Sequence, residues 1–268
     1  MGIHSLPIST NMLLFFIGYL HLQGYAPTSI TSYVCAIGYV HKLKSLTDPS
    51  SDFIVQRLLA AVTKVRPNTD ARLPITLPIL RQLVLSADTV ITNTYHRTLL
   101  RAMLVVAFYG LMRIGEITSD QQSRTYLTLS HLSFKSDHAQ LLITQFKHNS
   151  TGRPFHIVLP KQSDATLCPL LALRNYLSIR GSTPGPLFCF PCHRPIPRNF
   201  FITKLNNLLN FCGLDTTLYK SHSFRIGAAS FYAENGLSDE QIRLLGRWKS
   251  NAFRKYIRCQ RILAALQD

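Results

Sequence analysis

The stretch "GRWKSNAFRKYIR", residues 246–258, holds the chain's only tryptophan, Trp248, and a tyrosine eight positions on, Tyr256. Five basic residues share this stretch and no acid does. Two kinds of chemistry fit. A basic helix can hold its charges in water and turn its aromatics to a core. Alternatively, an indole N–H, which only donates, and a phenol can both be aimed at a phosphate. Upstream, "SHSFRIGAA" places His222 and Arg225 three positions apart, on one face of a helix's first turn.

The charge of the whole chain favours an anionic partner. Its 268 residues carry 29 Lys+Arg against 13 Asp+Glu. The imbalance is uneven: residues 1–70 have five basic and three acidic side chains, leaving 24 and ten for residues 71–268. Seven basic residues and no acid lie between Arg243 and Arg261. Self-repulsion on that scale is relieved by a polyanion, and nucleic acid is the commonest one.

Several classes find no support. The apolar run "MLLFFIGYL" falls short of the ~20 residues a bilayer span needs, and no basic residue precedes it as in a signal peptide. It reads as a buried helix, and no membrane partner is expected. The six cysteines, Cys35, Cys168, Cys189, Cys192, Cys212 and Cys259, follow no disulfide framework and read as reduced thiols. "CFPCH" (Cys189, Cys192, His193) has a zinc-like spacing but no second ligand pair. No metal site and no cofactor are expected. There is no phosphate-binding Gly-Lys loop, no catalytic carboxylate pair and no RNA-binding signature of the RRM or KH kind.

The elements that must position these groups can be read from period and punctuation. "STNMLLFFIGYLHLQG" is a helix capped by Ser9 or Thr10 and stopped at Gly24. "PTSITSYVCAIGYVHKL" places Ile30, Tyr33, Val34, Ile37 and Val40 on one face, with Thr28 or Ser29 as N-cap. A third helix covers Phe53 to Lys64, and "RPNTDARLP" reads as a linker, which sets a boundary near residues 66–74. "ITLPILRQLVLSAD" and "NTYHRTLLRAMLVVAFYGLM" are helices, the second buried. "YLTLSHLSF", "AQLLITQF" and "PFHIVLP" form a small antiparallel sheet with Lys147 on its second turn. Helices return with "CPLLALRNYLSIRG", "RNFFITKLNNLLNFCG" and "SHSFRIGAASFYAENG". Ser238 and Gln241 make a capping box for the next helix, and the last helix is "NAFRKYIRCQRILAALQ", with Ser250 as its cap. The fold class is mainly α with a small antiparallel β-sheet (α+β).

"HSFRIGAA" followed by "LGRW" and "YIR" resembles the C-terminal catalytic motif of tyrosine recombinases, in the branch of DIRS-type retrotransposons and Crypton-like elements. "FYGLMRIGEI" resembles the family's first arginine motif, with Arg113 and its companion Glu116. The helical segment with "PTSITSYVCAI" is similar to the core-binding domain that clamps DNA. The resemblance implies a core-binding domain over residues 1–68, short for the family, and a catalytic domain over 69–268. It departs from the commoner pattern at Trp248, where many relatives have His. The lysine motif is also weak: Lys147 is on the right turn, with Lys135 and Lys161 as less well placed alternatives.

What the resemblance implies is a site-specific recombinase or integrase from a mobile element. The tyrosine hydroxyl attacks a DNA phosphodiester, leaving a 3′-phosphotyrosine that conserves the bond energy without ATP or metal. A phenol with a pKa near ~10 needs help at neutral pH. Arg113 and Arg225 would hold the phosphate with planar forks, and His222 would take the tyrosyl proton or hold the phosphate. Lys147 would protonate the leaving oxygen. Trp248 would donate its N–H to a phosphate oxygen, Tyr256 would attack, and Glu116 would orient an arginine. Thr28, Ser29, Lys249 and Arg254 are expected at the DNA. The expected partners are double-stranded DNA and further copies in a tetrameric synapse, and the expected compartment is the nucleus. The alternatives are a type IB topoisomerase-like enzyme and a domesticated, non-cleaving DNA-binding protein.

Overall fold

The computed structural model describes residues 6–65, 70–119, 126–146, 149 and 152–257. The chain separates into two compact units, Met1–Ala71 and Arg72–Asp268. Lys147, Cys259 and the part of the last expected helix beyond Ile257 lie outside the described residues, as do residues 66–69 of the expected linker.

The first unit holds α1 (Thr10–Leu22), α2 (Pro27–Leu43), a 3₁₀ turn at Pro49–Ser51 and α3 (Phe53–Val65). Ser9 caps α1 by accepting the Met12 N–H at 3.3 Å, and the chain leaves that helix through Gly24 at φ +81°. Leu13, Ile17 and Leu20 pack with Ile30, Val34, Val55, Leu59 and Val62. Two expectations for α2 need correction. The helix begins at Pro27 with Ala26 at the cap, because a missing N–H costs nothing at the first helical position. Thr28 and Ser29 are therefore inside its first turn. Tyr33 and Val40 are also exposed, and the buried stripe runs Ile30, Val34, Gly38, His41 instead. His41 belongs there because both ring nitrogens are used: Nδ1–H donates to the Ile37 carbonyl at 2.9 Å and Nε2 accepts the Ile8 N–H at 3.0 Å.

The second unit contains α4 (Leu77–Val90), α5 (Thr94–Tyr109), α6 (Ile114–Ile117), β1 (Leu132–Phe134), β2 (His138–Ile143), β3 (Phe155–Pro160), α7 (Pro169–Arg180), α8 (Arg198–Phe211), α9 (Ser223–Glu234) and α10 (Asp239–Leu245). A 3₁₀ helix over Asn251–Tyr256 follows. The mainly helical class with one small antiparallel sheet matches the sequence expectation. Helix α5 is the centre: every residue from Ala102 to Tyr109 is buried, and α4, α7 and α9 pack around it. An all-round apolar helix has no other stable place.

The sheet is a meander, β1-β2-β3. In β2, Ala139, Leu141 and Ile143 are buried in strict alternation, one face to the core. The first expected run yields less strand than its composition suggests. Leu129–His131 is a 3₁₀ turn because the His131 ring accepts the Thr128 N–H at 3.2 Å, a local bond that competes with the ladder. The β2–β3 register pairs Ile143 with Phe155 at one end and His138 with Pro160 at the other. The expected lysine turn therefore leaves the Ile143–Phe155 end.

Helix α9 starts where the Ile75 N–H donates to the Ser223 carbonyl at 3.0 Å. The close approach requires glycine at position 227: a Cβ there lies 1.8 Å from the Ile75 carbonyl oxygen. Backbone cannot swing aside as a side chain can, so Gly227→Ala should cost about 1–3 kcal/mol or more, read as a lower urea midpoint with the m-value unchanged.

Candidate active site

The site is built on the end of α5. A helix leaves its last carbonyls without partners, and its C-terminus carries partial negative charge. Here the chain turns sharply through Leu111, buried and at φ +43°. The Tyr232 hydroxyl takes the Tyr109 carbonyl, and two guanidiniums take those of Gly110 and Leu111 in the turn. Arg225, from the first turn of α9, donates Nη1–H to the Leu111 carbonyl and Nη2–H to the Gly246 carbonyl at 2.7 Å. Arg247 donates to Gly110 at 3.3 Å and to Leu111 at 3.1 Å.

Arg113 opens the short helix α6. Its backbone N–H donates to Glu116 Oε2 at 2.8 Å and its guanidinium to Oε1 at 3.2 Å, so Glu116 closes a capping box around it. The same carboxylate receives Arg247 Nη2–H at 2.7 Å. Glu116 thus accepts from two arginines, Arg113 and Arg247.

Three guanidiniums converge and one carboxylate answers them, leaving two positive charges over. Burial pushes the Arg225 guanidinium down to about 9, with the Arg113 and Arg247 charges adding to the effect. Burial also lowers Arg247, and Glu116 opposes it. An anion at this place removes the repulsion.

The aromatics are stacked over the same group. The Arg225 guanidinium lies 4.3 Å from the Trp248 ring centre. Trp248 in turn stacks on Tyr256, with centroids 5.6 Å apart and planes at 25°, and packs on Phe253. His222, at the N-cap of α9, has its ring 5.1 Å from that of Tyr256 and its Nε2 buried. Ser230 holds the Tyr256 carbonyl through its hydroxyl at 3.2 Å. The last expected helix is a 3₁₀ turn as far as Tyr256, and this side-chain bond to its final carbonyl accompanies that tighter winding.

Arg113, Glu116, His222, Arg225, Trp248 and Tyr256 are therefore brought together from four segments. Lys147 lies outside the described residues. Its two alternatives are at the wrong end of the sheet: Lys135 N–H closes on His138, and Lys161 N–H donates to Asp137. Phe155, at the other end, sits 5.9 Å from the Arg247 guanidinium. Six residues of strand separate the two ends, about 17 Å. Thr28 and Ser29 belong to the first unit, Lys249 is exposed, and exposed Arg254 pairs with Asp239 at 2.8 Å.

Arg247 and Ser230 escaped the sequence reading. Helices commonly stop with Gly in the left-handed conformation, but here Gly246 stays at φ −79° and Arg247 takes φ +56°. Nothing in the local pattern marks that exchange. The "CFPCH" loop takes no part: Cys189 is buried, its carbonyl accepting the Tyr95 hydroxyl at 3.0 Å, and Cys192 is exposed beside Arg194. Among the described residues, no group of three His, Cys, Asp or Glu could hold a metal ion, and no helix is long and apolar enough to cross a membrane.

No family model matches the chain. It is similar to an integrase/recombinase XerD homolog of Selenomonas ruminantium, 23% identical in an alignment of 264 positions that covers 93% of this chain and 73% of the relative. It is similar in structure to the XerH site-specific recombinase bound to a palindromic difH substrate in a post-cleavage complex. That match has a TM-score of 0.65 and 16% identity, over 97% of this chain and 70% of the other. A lambda integrase tetramer bound to a Holliday junction aligns with a TM-score of 0.61 and 15% identity, over 92% and 66%. The fold is that of these recombinases and integrases.

Two outcomes follow from the geometry. A Cβ at position 246 lies 1.6 Å from the Trp248 ring, which Arg225, Phe253 and Tyr256 hold in place. Gly246→Ala should expel the ring, and emission from the single tryptophan should shift to the red. Arg113→Gln breaks a largely buried ion pair, Arg113 being 22% and Glu116 7% exposed, but Arg247 still holds Glu116, and the change also removes one of the repelling charges. Its thermal midpoint should stay within a few degrees of wild type, with any gain shrinking as salt is added.

Proposed function

We propose that the chain is a site-specific DNA recombinase or integrase that breaks and rejoins duplex DNA through a 3′-phosphotyrosyl intermediate. The observation that carries this reading is the stack of Tyr256 on Trp248 on Arg225, set inside a cluster with two uncompensated positive charges. A phenol next to a buried excess of guanidinium is poised for phosphate and for little else.

In this reading Arg113 and Arg225 bind the non-bridging oxygens of the scissile phosphate. Each charge-assisted bond contributes roughly 1.5–3 kcal/mol, and more as charge grows toward the pentacoordinate transition state. The Trp248 N–H adds a third donor. His222 takes the Tyr256 proton while the phenolic oxygen attacks phosphorus. Lys147, the lysine of the β2–β3 connection, delivers a proton to the departing 5′-oxygen. Reversal by an incoming 5′-hydroxyl rejoins the strand.

The first unit acts as a DNA clamp, with Thr28 and Ser29 at the DNA. Lys249 and Arg254 meet the backbone beside the scissile phosphate. Further copies assemble a tetrameric synapse, as the lambda integrase does on its junction. "HSFRIGAA" and "LGRW" favour an origin in the DIRS-type or Crypton-like branch of mobile elements, and with it work in the nucleus.

The test begins with duplexes selected from a randomised pool by retention on the protein, then nicked to trap the covalent step. Wild type should give an adduct on a denaturing gel. Tyr256→Phe should give none while binding duplex as before; an adduct that survives this change sinks the assignment. Lys147→Ala should slow adduct formation about 10²–10⁴-fold, and a 5′-bridging sulfur, a leaving group that needs no proton, should restore it. Exchange between paired sites, rather than supercoil relaxation alone, separates a recombinase from a topoisomerase-like enzyme.

A further inference from the structure

We infer that Arg247 is a positioning residue for strand cleavage: it couples the segment carrying Trp248 and Tyr256 to the turn carrying Arg113. The inference rests on the cleavage reading above and adds a residue that this reading leaves without a role.

Arg247 lies between Gly246 and Trp248, so its backbone sets where the tryptophan begins. That backbone is left-handed at φ +56°, a conformation that a non-glycine residue holds only when its surroundings over-determine it. The surroundings are polar and specific. Nη1 reaches the Gly110 carbonyl at 3.3 Å and the Leu245 carbonyl at 3.1 Å, and Nη2 reaches Leu111 at 3.1 Å and Glu116 Oε2 at 2.7 Å. The side chain is 1% exposed. Four acceptors engage both of its terminal nitrogens.

Its partners are the groups that place the other arginines. Glu116 also holds Arg113 by backbone and side chain. The Leu111 carbonyl also receives Arg225. One planar fork thus ties the two phosphate-binding arginines to the strand of chain that bears the nucleophile, across 131 sequence positions. Phe155, at the end of β3 nearest the lysine turn, lies against the same guanidinium. A lysine has the charge without the fork and cannot reach Gly110, Leu111 and Glu116 at once.

A merely structural role predicts lost stability and proportionate loss of everything else. A positioning role predicts a defect in the chemical step that runs through Glu116. With full-length protein in excess over the nicked duplex, single-turnover adduct formation should slow roughly 10–100-fold in Arg247→Lys. The duplex Kd should stay within about twofold, because Arg247 meets no phosphate. Glu116→Gln should slow the same step, and the double variant should be no slower than the worse single one. Arg180→Lys serves as control. Arg180 is another buried arginine of the same unit, held by the carbonyls of Gly181, Thr183, Pro186 and Leu187. It should lower the thermal midpoint and leave the rate of adduct formation alone.

Arg247→Lys cleaving at the wild-type rate overturns the inference and leaves the cleavage reading standing. Additive losses in the double variant overturn it as well, since the coupling through Glu116 is then absent. If Arg247→Lys does not fold, the comparison rests on Glu116→Gln, where unchanged cleavage overturns it. A wild-type protein that forms no adduct overturns the cleavage reading and this one with it.

Discussion

Everything in the second unit that bears on the proposed chemistry depends on how one helix ends. Helix α5 is buried from Ala102 to Tyr109, so its last carbonyls cannot turn to water. They must find donors inside the protein or cost the unit several kcal/mol. Backbone N–H groups and the Tyr232 hydroxyl supply them for Val106 to Tyr109, and Arg225 and Arg247, from segments more than a hundred residues away, supply them for Gly110 and Leu111 in the turn that follows. The fold therefore satisfies a backbone problem with guanidiniums, and in doing so gathers charge at one point. Glu116 limits the repulsion without cancelling it. The cluster is paid for by the packing of α4, α7 and α9 on α5, and the residual charge is what an incoming phosphodiester would neutralise.

Much of this architecture is legible in the sequence because local signals agree with the global fold. The unbroken apolar run of α5, the Ser238–Gln241 capping box and the stop at Gly24 all act within a few residues, and each is found. The alternation of β2 is equally local. The site is legible only in part. Arg113, His222, Arg225, Trp248 and Tyr256 stand in recognisable runs, yet the run from 243 to 261 offers seven basic residues with the same composition. Which of them is buried depends on contacts with Gly110, Leu111 and Glu116, and no local pattern carries that information. Arg247 was hidden for that reason. The narrower buried stripe of α2 has a similar cause: His41, polar by type, occupies the core because two backbone groups complete its ring.

The stack also constrains how a phosphate could arrive. Arg225 is 1% exposed, and Trp248 covers its guanidinium. In the proposed reaction the ring must slide off before two oxygens can meet the fork. The exchange is energetically permitted. A desolvated cation–π contact contributes about 2 kcal/mol, whereas two charge-assisted hydrogen bonds contribute roughly 3–6 kcal/mol together. The difference favours the phosphate once both bonds form, and a single bond leaves the balance near even. Monodentate approach by a passing anion is thus a poor trigger, while a phosphodiester held in register by the rest of a duplex is a good one.

In the proposed reaction a displaced Trp248 would carry Tyr256 with it, because the two rings are stacked and only eight positions apart. The linking segment is a single 3₁₀ stretch with poorer hydrogen-bond geometry than an α-helix, tied to α9 at the Tyr256 carbonyl through Ser230. Such an element yields more easily than the α-helices beside it. Arg247 fixes the other end, buried and held by four acceptors. A soft segment anchored at a rigid origin swings about that origin and does not drift. The geometry thus reconciles two demands on a nucleophile in the proposed reaction: it must move to admit the phosphate, and it must return to one place to attack it.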